Sequence, residues 1–133
     1  MDLKESVSFD VKITGDRTGE VFYGTFTALR RLTHRQELLR DKVCRELLGS
    51  NSEGATERAK SQAEMLGELS VSIIKSPTWW SENGNGLDLA DDSVLREVWD
   101  QVMKIKIDAV KEVQKKAELA GQKLKDIAES NPK

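Results

Sequence analysis

Hydrophobic and polar residues alternate near the start of the chain, in the stretch VSFDVKIT. The apolar members of this alternation are Val7, Phe9, Val11 and Ile13. A period of two is typical of a half-buried β-strand. The next stretch, GDRTGE, has two glycines where a tight turn needs positive φ, and VFYGTFTAL has the β-branched and aromatic content of a returning strand. The pattern predicts a β-hairpin over residues 7–29.

After the hairpin the apolar residues change to helical spacing. Three helices are predicted, over residues 34–48, 55–76 and 92–110. Their apolar residues are expected to pack together, with a core made of Leu39, Val43, Leu47, Leu66, Leu69, Ile73, Val94, Val98 and Trp99. The predicted fold class is therefore α+β, an N-terminal β-hairpin packed on a three-helix bundle.

Local signals mark the ends of these helices. Thr33 and Gln36 have the residue types and spacing of a capping box, and Gly49 is a C-terminal stop. Pro77 ends the second helix because the residue before a proline is pushed out of the α region. Asp91 or Asp92 is expected to begin the third helix.

The apolar stripe becomes thin after residue 107. Residues 1–110 are therefore predicted to form the domain, and residues 111–133 a charged tail that is either a long C-terminal amphipathic helix or partly disordered. The helix is expected to be interrupted at Gly121 and to fray before Pro132. A helix this long with so thin a stripe needs a partner, either its own copy in a homo-oligomer or another protein.

Charge and composition narrow the range of partners and locations. Charged residues make up 33% of the 133 residues, but the net charge is only -2, which gives no overall attraction for nucleic acid or an anionic membrane. The one basic stretch, RRLTHRQELLRDKVCR, contains acidic neighbours and no stacking aromatics, which argues against nucleic-acid binding. No apolar run reaches the roughly 20 residues of a membrane helix, and no signal peptide is recognisable. A soluble cytoplasmic protein is expected.

The residues needed for catalysis are scarce. His34 is the only histidine, and Cys44 lies beside Val43 on the first predicted helix, where a buried structural cysteine is the simpler interpretation. No catalytic residue and no cofactor are predicted, so the protein is not expected to be an enzyme.

The stretch SENGNGLDLADD partly matches a calcium-binding loop. Asn83, Asn85, Gly86 and Asp92 stand at suitable positions, but Ser81 replaces the first carboxylate. The Asn-Gly pairs are also typical of turns, and a turn is enough to account for them. No metal site is predicted.

Two of the three tryptophans, Trp79 and Trp80, stand side by side between Pro77 and this turn-rich stretch, although aromatic residues are only 5% of the chain. In an extended segment adjacent side chains point in opposite directions, so the two rings are not expected to fill the same pocket unless the loop twists. Either one tryptophan anchors the loop onto the helices while the other lies flat over the edge of the core, as suits a residue that is heavily buried on average, or one remains available to a partner. The predicted partner-binding residues are Trp79, Trp80, Leu87 and Leu89.

Four stretches carry a family resemblance: FDVKITGDRTGEVFYGTFTALRRLT, LLRDKVCRELLG, AEMLGELSVSIIKSPTWW and NGLDLADDSVLREVWDQVM. In their order and sequence they resemble the tail assembly chaperones of long-tailed bacteriophages, which are small non-virion proteins encoded just before the tape-measure gene. The resemblance covers most of residues 7–110 and includes no catalytic signature. Residues from Val110 onward match no part of it.

The resemblance implies a protein of the host cytoplasm that binds the tape-measure protein, keeps its apolar helices from aggregating and helps recruit tail-tube subunits. A structural virion subunit, such as a tail or head-tail connector protein, is the alternative. A nucleic-acid-binding protein ranks third.

Overall fold

The computed structural model describes residues 5–49 and 52–130. The fold is α+β, with a three-stranded antiparallel sheet and a long C-terminal helix. The strands are Ser6–Thr14 (β1), Val21–Leu29 (β2) and Ile73–Lys75 (β3). The helices are His34–Leu48 (α1), Glu57–Ser72 (α2), Thr78–Ser81 (α3) and Asp92–Ser130 (α4), with one 3₁₀ turn at Ser52–Gly54.

The predicted hairpin is confirmed. β1 and β2 pair antiparallel over their whole length, and Phe9 lies opposite Phe26. The two rings stack with their centroids 5.3 Å apart. Alternation places Val11 and Phe26 on the buried face, whereas Tyr23 is exposed on the other face. One face of the sheet therefore packs against the core and the other meets solvent.

The third strand corrects the predicted second helix. The helix ends at Ser72 rather than at residue 76, and the next residues form β3, which pairs with β2 through Ala28 and Ile73 and through Thr27 and Lys75. A short run such as Ile-Ile can form either a helix end or a strand, and here the free edge of β2 selects the strand. Ile73 packs on the core as predicted, but from the sheet.

The main core lies between the sheet, α2 and the first part of α4. The predicted core residues Leu66, Leu69, Val94 and Val98 are all buried, which confirms them. The buried apolar set also includes Val11, Phe22, Phe26, Ala28, Leu29, Ala63, Trp80, Val102, Ile105 and Ala109. The sheet thus rests on the helices, as expected for an α+β fold.

Helix α1 contributes less to the core than predicted. Its capping box is present, with Thr33 accepting from Gln36 N–H and the Gln36 side chain accepting from Thr33 N–H. It packs against α2, where a Cβ on Gly67 would lie 3.1 Å from the Arg40 carbonyl oxygen. None of its residues is buried: Leu39 and Leu47 are exposed and Val43 is half-buried. The reason is its position as an outer layer on α2.

Helix α4 is continuous from Asp92 to Ser130, 39 residues in all. It continues beyond the predicted end at residue 110, and Gly121 does not interrupt it. One glycine costs a helix only about 1 kcal/mol, which the good helix formers around it can offset. The predicted fraying before Pro132 lies outside the described residues. The division into a domain and a tail stays a prediction.

Candidate partner-binding surfaces

The tryptophan pair lies in α3, a single helical turn rather than the extended segment that was expected. Helical backbone turns adjacent side chains by about 100° rather than 180°, so both rings reach the same aromatic cluster. The Trp79 and Trp80 centroids are 6.2 Å apart, and both rings make edge contacts with Phe26, at 5.6 and 5.4 Å. Trp80 is only 1% exposed. It is a core residue in this conformation and not a free contact for a partner.

Trp79 is half-buried and closes the part of the β2 edge that β3 leaves open. Its indole Nε1–H donates to the Tyr23 carbonyl oxygen at 2.9 Å, and its ring packs on Phe22 at 5.0 Å. Pro77 lies over Gly24, where a Cβ would come within 2.4 Å of the proline ring. Pro77 has no N–H group to donate to β2 as a paired strand would. The indole N–H of Trp79 donates to the β2 backbone instead.

The loop after α3 folds back onto the tryptophans. Asn83 Nδ2–H donates to the Trp79 carbonyl oxygen at 2.6 Å, and the N–H groups of Asn83 and Asn85 donate to the Trp80 carbonyl oxygen at 3.2 and 3.0 Å. Gly86 has a φ of 96° and lies on the Trp80 ring, where a Cβ would come within 2.6 Å of Cη2. Both the positive φ and the close approach require glycine here.

The two predicted leucines of this loop differ. Leu89 is half-buried and packs on the core, whereas Leu87 is 52% exposed. Among the predicted partner-binding residues, Leu87 is therefore the one that presents most of its side chain to solvent. Its partner-binding role stays a prediction.

Asp91 is a site residue whose role the sequence does not reveal. It lies just before α4 and is 2% exposed, yet its carboxylate faces the hairpin turn instead of its own helix. Oδ1 accepts from the N–H groups of Arg17 and Thr18 at 2.6 and 2.8 Å, and Oδ2 accepts from the Thr18 hydroxyl at 2.7 Å. Gly15 leaves room for it, since a Cβ there would come within 2.3 Å of the carboxylate.

The hairpin turn in return caps α4. Ser93 N–H donates to Asp16 Oδ1 at 3.2 Å, and Asp16 N–H donates to Ser93 Oγ at 3.0 Å. A carboxylate at a helix N-terminus satisfies an unpaired N–H and interacts favourably with the helix dipole. Arg17 also pairs with Asp92 at 3.1 Å. The turn and the helix start, far apart in the sequence, are thus one hydrogen-bonded unit.

This geometry determines the protonation of Asp91. Burial by itself raises the pKa of the carboxyl group, but the hydrogen bonds from Thr18 and Arg17 outweigh it and hold the pKa of Asp91 below its ordinary value. The ionised form is therefore the one that binds the turn. A shifted pKa with a structural explanation of this kind is no sign of catalysis.

A second polar cluster lies between α1, α2 and α4. Glu68 accepts from Arg40 at 3.2 Å and pairs with Lys106 at 3.2 Å. Beside it is an open cavity of about 550 Å³, lined by Arg40, Asp41, Cys44, Arg45, Glu64, Glu68 and Trp99. Trp99, predicted as core, is half-buried there.

Cys44 is a poor nucleophile in this setting. Burial, with Glu64 and Asp41 nearby, raises the pKa of its thiol. The thiolate, which is the reactive form, is thereby disfavoured near neutral pH. The side chains around the cavity carry both signs of charge, a pattern that favours no single class of ligand.

The end of the packed part of α4 is marked by an ion pair between Arg30, which follows β2, and Glu112. The hydrogen bond from Arg30 and its charge lower the pKa of Glu112. Beyond this pair every side chain from residue 113 to residue 129 is exposed. The exposed fractions of Val110, Val113, Leu119, Leu124 and Ile127 range from 49% to 68%. This part of α4, residues 110–130, is called the projecting segment.

Two further findings concern metal binding and membrane insertion. Within residues 5–49 and 52–130, no group of three or more His, Cys, Asp or Glu side chains is arranged to hold a metal ion. In the same residues, no helix combines the length and the apolar character needed to cross a bilayer.

Comparison of the chain with protein-family models, with curated proteins and with solved structures finds no match.

Proposed function

We propose that this protein is a non-catalytic tail assembly chaperone of a long-tailed bacteriophage, acting in the host cytoplasm. It binds the tape-measure protein during assembly, helps recruit tail-tube subunits and is absent from the finished particle. The four stretches within residues 7–110 that resemble this family are the source of the assignment.

The observation that carries the proposal is the projecting segment. It is a helix whose larger apolar side chains are about half or more exposed, at 49% to 68%. A chaperone that works without an energy source needs accessible apolar surface for its client. A long helical client can cover this row by packing alongside it.

The surrounding charge supports the same function. Lysines and acidic residues are interspersed along the segment, in the stretch KEVQKKAELAGQKLKDIAE. These charged side chains keep the helix soluble while its apolar row is not bound to a client. Helix α1 adds further exposed apolar surface, above all at Leu38, which is 70% exposed.

The test is a tagged copy expressed in cells infected by the phage that encodes it, followed by mass spectrometry of the co-purified proteins and of the finished particles. We expect a long helical tape-measure protein in the first sample and no copy of this chain in the second. Stoichiometric presence in the particles would instead favour a structural virion subunit and overturn the proposal.

A matched pair of variants locates the contact. Val113→Asp combined with Leu124→Asp places charges in the apolar row and should abolish co-purification. Lys115→Asp combined with Gln122→Asp changes two exposed residues of the same helix outside that row and should leave it intact. Equal behaviour of the two variants would show that the client binds elsewhere.

A further inference from the structure

The projecting segment carries a second regularity beyond its exposure. Six of its apolar residues are separated alternately by three and four positions, namely Val110, Val113, Ala117, Ala120, Leu124 and Ile127, whereas Leu119 lies outside this series. This spacing is the a and d pattern of a heptad repeat. The apolar row therefore has the geometry of a coiled-coil seam. Such a seam is more specific for its partner than a general hydrophobic surface is.

The residues beside this seam are not symmetric. Lys116 and Lys123 occupy the g positions on one side, and Gln114, Gly121 and Ala128 occupy the e positions on the other. The acidic residues of the segment fall at the outer positions b, c and f, away from the seam. Lys116 lies 4.0 Å from Glu112, at the limit of an ion pair, and such exposed pairs are weak. The g positions are therefore basic and the e positions uncharged, and at the start of the segment Arg30 and Arg31 line a groove with Val110, Val113 and Gln114.

A second copy of this chain fits the flanks poorly. In a parallel pair, Lys116 would face Gly121 of the other copy and Lys123 would face Ala128, so neither lysine gains a carboxylate. In an antiparallel pair the two g flanks would face each other and place lysines together. A partner helix with Glu or Asp beside its seam supplies the missing charges.

The size of the residues at the centre of the seam also restricts which partner helix can pack there. Ala117 and Ala120 are small, so two copies of this segment would bury little surface where they meet. A partner with large apolar residues opposite these alanines fills the same space and brings the helices close together. The segment spans roughly 27 Å from residue 110 to residue 127, so a partner of about three heptads matches it.

We propose that residues 110–127 dock one amphipathic partner helix that has acidic residues flanking its seam, and that the two form a short two-stranded coiled coil. The identity of the natural partner as a tape-measure helix rests on the proposed function, whereas the pairing chemistry does not.

The probe is a pair of designed 21-residue peptides, identical in their large a and d residues. One has glutamate at every e and g position and the other has lysine there. Each fluorescently labelled peptide is titrated with the full chain, and binding is followed by anisotropy. We expect the glutamate peptide to bind about tenfold or more tightly than the lysine peptide, with a preference that weakens as salt rises.

Charge reversal on the protein provides the matched control. Lys116→Glu with Lys123→Glu should transfer the preference to the lysine peptide. Lys115→Glu with Lys125→Glu makes the same change in net charge at outer positions and should keep the original preference. All four lysines lie in the exposed part of α4, so circular dichroism should find both variants folded.

Preference for the glutamate peptide, reversed only by the seam variant, supports the proposal. Equal affinity for both peptides, binding of neither, or self-association of the chain that excludes both would overturn it. If the peptides fail but the tape-measure protein still co-purifies, the coiled-coil inference falls while the proposed function stands.

Discussion

Helix α4 has two parts that share one backbone but not one environment. From Asp92 to Ala109 the helix places Val94, Val98 and Val102 against the sheet and α2, and these side chains are fully buried. From residue 113 to residue 129 the same helix keeps apolar residues at helical spacing, but its side chains are exposed. The comparison teaches that an amphipathic pattern specifies a helix without specifying what covers its apolar face.

The two parts also differ in how they are held at their ends. The first part begins in the hydrogen-bonded unit formed by Asp91, Ser93 and the hairpin turn, and it ends near the Arg30–Glu112 pair. Beyond Glu112, the second part has side-chain contacts along the helix itself, such as Gln122 with Asp126. Helices without tertiary contacts are marginal in water, so the second part should open far more readily than the first.

The largest effect should follow from removing the core on which the first part of α4 rests. Trp80→Ala should lower the free energy of unfolding by about 3–5 kcal/mol, because it leaves a cavity against Phe26. Urea unfolding followed by circular dichroism measures it. Trp99→Ala, at a half-buried position, is the control and should cost less. A loss for Trp80→Ala smaller than that for Trp99→Ala would contradict the core assignment.

A substitution of the same residue type in each part tests the comparison directly. Val98→Ala should cost about 2–3 kcal/mol, because Val98 is fully buried. Val113→Ala should stay within about 0.5 kcal/mol of the parent protein, because Val113 is exposed. Both are read from urea midpoints with unchanged slopes. Similar losses at the two positions would mean that the projecting segment packs on the domain after all.

Acid should loosen the start of the first part. The pKa of Asp91 is lowered in the folded protein, so its contribution to stability is present above the ordinary carboxyl pKa and is lost as the pH falls below about 4. Asp91→Asn should lower the Tm at pH 7 and flatten the loss of Tm between pH 5 and pH 2, which thermal melts across that range measure.

Glu112 provides the control for the acid experiment. Its pKa is also lowered, by Arg30, but the pair is partly exposed and salt should screen it. Glu112→Gln should therefore lose its effect in concentrated NaCl, whereas Asp91→Asn should keep it. An Asp91→Asn variant with the acid dependence of the parent protein would exclude this role for the buried carboxylate.

The smallest effect on stability should follow from removing the second part. Truncation after Gln114 keeps the Arg30–Glu112 pair and should shift the Tm by less than about 2 °C, because the side chains of residues 115–129 are exposed. The helical signal at 222 nm should fall. Amide exchange of the full chain should likewise be fast in residues 115–129 and slow around Val98. A large fall in Tm on truncation would contradict the comparison.

The candidate sites could be predicted only in part. Sequence reasoning singled out the tryptophan pair and Leu87, but it placed Trp79 and Trp80 in an extended segment and left open whether the second ring covers the edge of the core or is available to a partner. It also read Asp91 as an ordinary helix start. Its carboxylate binds Arg17 and Thr18, more than 70 positions earlier in the chain, and no local pattern signals such a partner.

Local interactions along the chain determined the hairpin and the capped helix α1, because alternation, the Thr33–Gln36 capping box and turn residues act between near neighbours. Only the tertiary structure decided that Ile73–Lys75 is a strand, that both tryptophans share one cluster with Phe26, and that α1 keeps Leu38, Leu39 and Leu47 exposed. Each of these depends on which surfaces meet across long sequence separations. A free β2 edge, a space above Gly24 and the outer side of α2 exist only once the chain has folded.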